Sequence, residues 1–389
     1  MNNFEITSPT TLIFGKEQLS KISEQISKHT SSSKILVLYG GGSVKKSGFL
    51  DQLTNELAAF ELHFFSGIEA NPEFTTLLKA VEYIREHKIT FMLAVGGGSV
   101  IDGVKFISGA VGYEGDPWDV LLRKPDCVFT TAVPFGCILT LPATGSESNS
   151  GAVISRSDLK MKLTMGGPLF FPKFALLDPT FVATLPKRQL ANGVIDAFTH
   201  TMEQYLTFPG ENRLQERYAE GILAPLIEIG PYVLEHPEDY DLAADLMWCA
   251  NQALNGLLRC GVTTDWSTHM IGHELTALHG IDHAQTLAII APRLYEVKFN
   301  NKMAKLAQYG RRVWHLNGED EGVAREAIAK TEAFFHTLGV ATRISDYDTN
   351  CKNTAEIIKN RFIERNWNTL GERQDLTPNE AEQIILNAL

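Results

Sequence analysis

Five residues in the second half of this 389-residue sequence have the types and spacing of a metal site. Asp196 and His200 stand four apart in Asn192-Gly-Val-Ile-Asp-Ala-Phe-Thr-His200. On a helix they share one face, with Cβ atoms about 6 Å apart, which suits two ligands of one ion. The second group is His269-Met-Ile-Gly-His273, followed by His279-Gly-Ile-Asp282-His283. His269 and His273 again share a helix face. Gly280 suits a helix stop, Asp282 suits the N-cap of the next helix, and Gln285 three residues on would complete a capping box. His283 then falls in the first turn of that helix, facing back toward His269. One carboxylate and three imidazoles, from Asp196, His200, His269 and His283, make an N/O ligand set for a divalent transition metal with room for a substrate oxygen. Four of the eleven histidines lie between Trp266 and His283, a clustering that a structural role for any single one does not explain. His273-Glu274 is followed by Leu-Thr-Ala277, so the HExxH arrangement of zincin proteases is absent.

The elements that must position these residues change character along the chain. In the first half, Lys34–Tyr39, Leu62–Phe65, Phe91–Val95 and Phe174–Leu177 read as strands, with helical spacing over about Ser47–Phe60 and Glu73–Lys88. This alternation predicts βαβ units and a parallel sheet. Two of the strands run into glycine loops, Gly40-Gly-Gly-Ser43 and Gly96-Gly-Gly-Ser99. Glycines admit close approach of backbone to phosphate, and the helix that follows offers free N–H groups and a positive dipole end. Neither loop fits G-x-G-x-x-G, because the third glycine would fall on Lys45 or Ile101, so any nucleotide site is not of the standard Rossmann type. The first loop has no acidic residue to accept a ribose 2′-OH, and Lys45 and Lys46 follow it. Small groups and nearby lysines favour NADP over NAD, the alternative being that the lysines are solvated surface. A third segment, Leu139–Glu147, gathers hydroxyls around Gly145 and suits phosphate or ribose, with Lys162 downstream as an added positive charge.

After Pro186 long amphipathic segments take over. Gln189–Tyr205, Gln215–Leu234, Leu242–Leu258, Asp265–His279, Ala284–Phe299 and Gly322–Leu338 are predicted helices. The expected domains are therefore 1–185, α/β and dinucleotide-binding, and 186–389, all-helical and metal-binding. A chain of this length exceeds one compact core. The net charge of −11 argues against nucleic acid. No run of about 18 apolar residues suggests a membrane span, and no signal peptide is evident. Five cysteines without framework spacing point to reduced thiols and a cytoplasmic setting.

Taken together, Gly96-Gly-Gly-Ser-Val-Ile-Asp102, Leu141-Pro-Ala-Thr-Gly-Ser-Glu147, Asp196-x-x-x-His200 and His269-x-x-x-His273 with His283 resemble the iron-containing (group III) alcohol dehydrogenase family. The resemblance runs from Thr10–Gly15 to about His283. Tyr39–Lys46 and Asp282–Thr286 are most similar to the NADPH-dependent aldehyde reductase and butanol dehydrogenase branch. It implies a two-domain fold of dehydroquinate synthase type, with a cleft between the domains, and metal ligation by Asp196, His200, His269 and His283, the metal being Fe2+ or Zn2+. It places Gly41 and Ser43 near the adenosine phosphate, and Gly97, Gly98, Ser99 and Asp102 around the pyrophosphate. Asn71, Thr140, Thr144 and Lys162 complete the NADP(H) site. Many NAD-using members carry Asp where this chain has Gly41. The implied reaction is hydride transfer between NADP(H) and a small aldehyde or primary alcohol, by a homodimer. His273, one turn from His269, is the candidate proton relay, the alternative being a structural or supporting histidine. Two rival readings are a non-redox lyase or cyclase of the dehydroquinate-synthase-like class and a non-enzymatic metal- or nucleotide-binding protein.

Overall fold

The computed structural model describes residues 1–209 and 212–389, without the Ser43 side chain. The chain divides into two compact units, Thr7–Thr184 and Leu185–Leu389, the second of which also contains Met1–Ile6.

The first unit runs β1 (Thr11–Phe14), α1 (Lys21–Ser27), β2 (Lys34–Tyr39), α2 (Ser43–Lys46), α3 (Phe49–Glu56), β3 (Glu61–Phe65), α4 (Phe74–His87), β4 (Met92–Gly97), α5 (Gly98–Ala110), α6 (Trp118–Leu121), β5 (Phe135–Leu141), β6 (Gly151–Arg156), β7 (Met161–Gly166) and β8 (Phe174–Leu177). Six strands form a parallel sheet in the order β1-β8-β5-β4-β2-β3, while β6 and β7 pair antiparallel beside it. Ile35–Leu38 and Phe91–Val95 are fully buried, the continuous apolar runs expected of central strands covered on both faces. Ile35, Val37, Leu93 and Val95 share a core with Ile22 and Ile26 of α1 and Leu53 of α3, and α5 lies against β2, β4 and β5.

The strand order has one reversal. From β2 the chain steps outward to β3, then crosses back over β2 to β4 on its other side. Tyr39 at the end of β2 and Val95 near the end of β4 are register partners. Both glycine loops thus leave the carboxyl ends of the two strands that flank the switch point, where open α/β sheets bind their ligands. Strand β1 was not legible because its four residues form a half-exposed edge without alternation.

The second unit contains α7 (Lys187–Tyr205), α8 (Arg213–Glu235), α9 (Tyr240–Leu254), α10 (Ser267–His279), α11 (His283–Val297), α12 (Phe299–Arg312), α13 (Asp320–Thr337), α14 (Thr354–Glu364) and α15 (Pro378–Asn387). Helix α7 packs against α8, α9 and α11, α10 against α11, and α15 against both α11 and α14. Two expectations need correction. Asp282 sits at the N-cap of α11 but forms no capping bond with its side chain. Its carboxylate instead accepts from Asn192 Nδ2 of α7 at 2.8 Å and meets Arg188 Nε at 3.4 Å, so the capping box gives way to a bond between helices. The helix expected over Ala284–Phe299 ends at Val297, and α12, absent from the sequence reading, begins at Phe299. Helix α12 carries apolar residues at helical spacing, Phe299, Met303, Leu306 and Ala307, and buries Lys302 and Lys305 beside them. Among the described residues all five cysteines are free thiols, and no helix is long and apolar enough to cross a membrane.

Candidate metal centre and glycine loops

Helix α7 supplies Asp196 and His200 one turn apart, α10 supplies His269, and the first residue of α11 is His283. Gly280 ends α10 in the left-handed conformation (φ 67°), which turns the chain so that α11 starts beside α10. Asp196 Oδ1 lies 3.7 Å from His200 Nε2, 3.9 Å from His269 Nε2 and 3.7 Å from His283 Nε2. Asp196, His200 and His269 are buried, and His283 is partly exposed. These separations exceed a hydrogen bond, and Asp196 Oδ1, although buried, accepts none. Ligand atoms about 2.1 Å from a tetrahedral ion stand about 3.4 Å apart. The cluster has that scale and the mixed N/O chemistry of a divalent transition-metal site, so these residues fit such an ion. His273 is also buried, its ring centroid 5.0 Å from that of His283 and 6.2 Å from that of His269.

One carboxylate that the sequence reading missed joins this cluster. Glu203, two turns beyond Asp196 on α7, accepts a hydrogen bond from Thr268 N at 2.6 Å and bonds His269 Nδ1. Burial, and then the neighbouring Asp265 carboxylate, push the Glu203 carboxyl up to about 8. The signal for it was its spacing: seven residues after Asp196, on the same helix face. The start of α10 is held from a second side. Asp265 accepts from Ser267 N at 3.0 Å and Ser267 Oγ at 2.5 Å, and Trp266 between them adopts a left-handed φ of 70°. Lys302 Nζ of α12 then donates to Asp265 Oδ2 at 2.7 Å, to Leu206 O at 2.8 Å and to both Glu372 oxygens at 3.1 Å.

In the α/β unit the second glycine loop is crowded. A Cβ on Gly98 would lie 2.3 Å from Thr144 Oγ1, and one on Gly96 would lie 2.5 Å from Val100 Cγ2. Thr144 Oγ1 accepts from Ser146 N at 3.1 Å, so the Leu139–Glu147 segment packs directly on the start of α5. The Ser99 hydroxyl donates to Ala70 O. Asp102 uses both oxygens within the unit, accepting from Ser146 Oγ at 2.5 Å and Val153 N at 2.9 Å, and burial pushes its carboxyl upward. Lys105, one turn on and fully buried, donates to Ser146 Oγ, Asn149 Oδ1 and Gly151 O at 2.7–3.0 Å. Lys162 Nζ reaches Asn71 Oδ1 at 3.0 Å, bringing together two sites 91 residues apart. Thr140 lies on β5, partly buried. In the first loop Gly41 is exposed, with nothing among the described residues beyond its chain neighbours within 4 Å of an added Cβ, and Lys45 and Lys46 are exposed; the Ser43 side chain lies outside the described residues.

Residues 9–179 match the family described as iron-containing alcohol dehydrogenase, and residues 190–389 match the C-terminal part of that family. The chain belongs to the iron-containing alcohol dehydrogenase family. It is 50% identical over 387 residues to the NADPH-dependent aldehyde reductase YqhD of Escherichia coli K12, covering 99% of each chain. The crystal structure of E. coli K-12 YqhD superposes with a TM-score of 0.96, covering 100% of this chain and 99% of that one at 49% identity. An NADH-dependent butanol dehydrogenase A from Thermotoga maritima superposes with a TM-score of 0.95 at 31% identity, covering 100% and 99%. Nothing in these matches supports the lyase alternative.

The contrast between the two loops predicts different responses to one methyl group. Gly98→Ala should destabilise the protein by about 1–3 kcal/mol, because Thr144 cannot retreat without releasing Ser146 N. Gly41→Ala should leave the thermal midpoint near wild type. Parallel thermal unfolding of the two variants checks this; equal midpoints would refute the packing argument.

Proposed function

We propose that this protein interconverts small aldehydes and primary alcohols with NADP(H), aldehyde reduction being the favoured direction. One divalent ion, Fe2+ or Zn2+, would be held by Asp196, His200, His269 and His283. The observation that carries this reading is the convergence of three imidazole Nε2 atoms within 3.7–3.9 Å of one buried carboxylate oxygen. When bound, the ion supplies Lewis-acid polarisation of a carbonyl, and the nicotinamide supplies the hydride. The chain's own residues do the rest. Gly97, Gly98 and Ser99, at the open N-terminus of the 13-residue helix α5, offer backbone N–H groups to a pyrophosphate. Asn71, Thr140, Thr144 and Lys162 would complete the cofactor site, with Lys162, whose Nζ lies 3.0 Å from Asn71 Oδ1, as the cation. Asp102 would act there as much by holding Ser146 and Val153 as by touching the cofactor. His273 would carry the proton between the alkoxide oxygen and solvent.

NADP is preferred because Gly41 and its surroundings leave room for a 2′-phosphate near Lys45 and Lys46. The YqhD relative named for NADPH points the same way, whereas the Thermotoga relative is named for NADH. A cytoplasmic homodimer is the accompanying proposal, to be checked by light scattering and cell fractionation.

Purified protein should contain about one divalent ion per chain and oxidise NADPH with aldehydes of increasing chain length. Asp196→Ala should lose both the ion and the turnover. Undiminished turnover in that variant, or no NADPH oxidation by wild type with any aldehyde, would sink the reading. For coenzyme choice, the kcat/KM ratio of NADPH to NADH should exceed one, and Gly41→Asp should lower it at least about tenfold, since a carboxylate there repels a 2′-phosphate and accepts a 2′-OH. A wild-type ratio at or below one rejects the NADP preference. For His273, replacement by Ala should keep the metal content and lower kcat about a hundredfold at neutral pH; full kcat rejects the relay.

A further inference from the structure

We propose that Glu203 is a positioning residue: it dictates which nitrogen of His269 faces the ligand cluster, and so sets the affinity of the helical unit for a divalent metal ion. This rests on the reading of Asp196, His200, His269 and His283 as ligands.

Glu203 is 2% exposed, and its two oxygens have separate partners. One accepts from Thr268 N at 2.6 Å; the other bonds His269 Nδ1. Thr268 N belongs to the first turn of α10, where backbone donors have no acceptor within the helix. The backbone adds a third tie, Asp265 N donating to Glu203 O at 2.9 Å. A single residue of α7 thus holds the chain entering α10 and the ring of its third residue together.

The bonding pattern also selects a tautomer. In its ionised form Glu203 only accepts, so the proton of a neutral His269 then resides on Nδ1. The lone pair is left on Nε2, the atom 3.9 Å from Asp196 Oδ1. A carboxylate behind a ligating histidine fixes ring orientation and raises ligand basicity, and losing one commonly weakens metal binding 10–100-fold.

Glutamine has nearly the same shape but one acceptor and one donor. Thr268 N–H can only donate, so it claims the amide oxygen. The NH2 group then faces His269 Nδ1, which must accept, and the imidazole proton moves to Nε2, where it blocks ligation. The opposite amide orientation sets two donors against each other at Thr268. Glu203→Gln therefore keeps the packing and loses the tautomer.

The test is calorimetric titration of chelator-stripped protein with Zn2+, alongside the visible absorption of the Co2+-loaded form. Glu203→Gln should raise the Zn2+ Kd about 10–100-fold and shift the Co2+ bands, with circular dichroism unchanged. Binding within twofold of wild type and an unshifted Co2+ spectrum overturn the proposal, provided Asp196→Ala and His269→Ala lose Zn2+. If those two variants bind Zn2+ like wild type, the ligand assignment itself falls and this proposal with it. A second measurement needs no Glu203 variant. In metal-free wild type with 15N-labelled histidine at pH 9, the resonance absent from His269→Gln should show a protonated Nδ1 and a bare Nε2. The reverse pattern overturns the proposal.

Discussion

The helical unit is organised around one buried carboxylate: Asp196 faces three imidazoles at 3.7–3.9 Å, separations longer than a hydrogen bond. Helices α7, α10 and α11 must keep their positions for these atoms to converge. They are kept in place by polar bonds beyond the cluster. Glu203 pins α10 to α7, and Asn192 pins the first turn of α11 to α7 through Asp282. Glu274, on α10 beside His273, takes Arg361 Nη1 of α14 and Nη1 of Arg365, the residue that ends α14, on its two oxygens, Arg361 at 2.8 Å. Each brace is buried or partly buried, where a broken pair leaves an uncompensated charge and costs far more than a surface bridge.

The α/β unit carries small residues at the ends of β2 and β4, the two strands flanking the reversal in strand order. The loops differ in how they are constrained. Gly96 and Gly98 are required by packing, since Val100 and Thr144 occupy the space a side chain would need. Among the described residues nothing beyond its chain neighbours lies within 4 Å of a Cβ added at Gly41, so packing does not require its small size. The Asp102–Ser146–Lys105 network explains why the second loop holds its shape: an acid, a hydroxyl and a buried ammonium bind α5 to the Ser146–Gly151 segment.

Much of this was legible in the sequence wherever chemistry followed a period. Asp196 and His200 at i,i+4, the Gly280 stop and the apolar runs of β2 and β4 all express local geometry, and the structure places them accordingly. Apart from the half-exposed edge strand β1, the failures share one cause: polar side chains whose partners are distant in sequence. Asp282 looks like a cap until Asn192, 90 residues earlier, takes its carboxylate. Lys302 and Lys305 of α12 look like surface lysines until Asp265, Glu372 and Glu216 pair with them inside the unit. Glu203 is one acid among 46 acidic residues, and only its distance of seven from Asp196 hinted at a role.

Charge balance ties these unreadable residues to the readable ones. Asp196, Glu203, Asp265 and Glu372 bring four carboxylates into the region where Lys302 supplies the buried ammonium. Burial raises the Glu203 and Glu372 carboxyls, and the Asp265 carboxylate raises both further, whereas Asp265, hydrogen-bonded to Lys302 and Ser267, is held below its ordinary range. Lys302 pairs with Asp265 and Glu372, and burial disfavours the ionised form of Glu203 behind His269. On the proposed ligand assignment, a divalent ion on the far nitrogen of His269 would favour that ionised form, and the hydrogen bond between His269 Nδ1 and Glu203 would link the two. The acids beneath α10 would then belong to the metal site as well as to the fold.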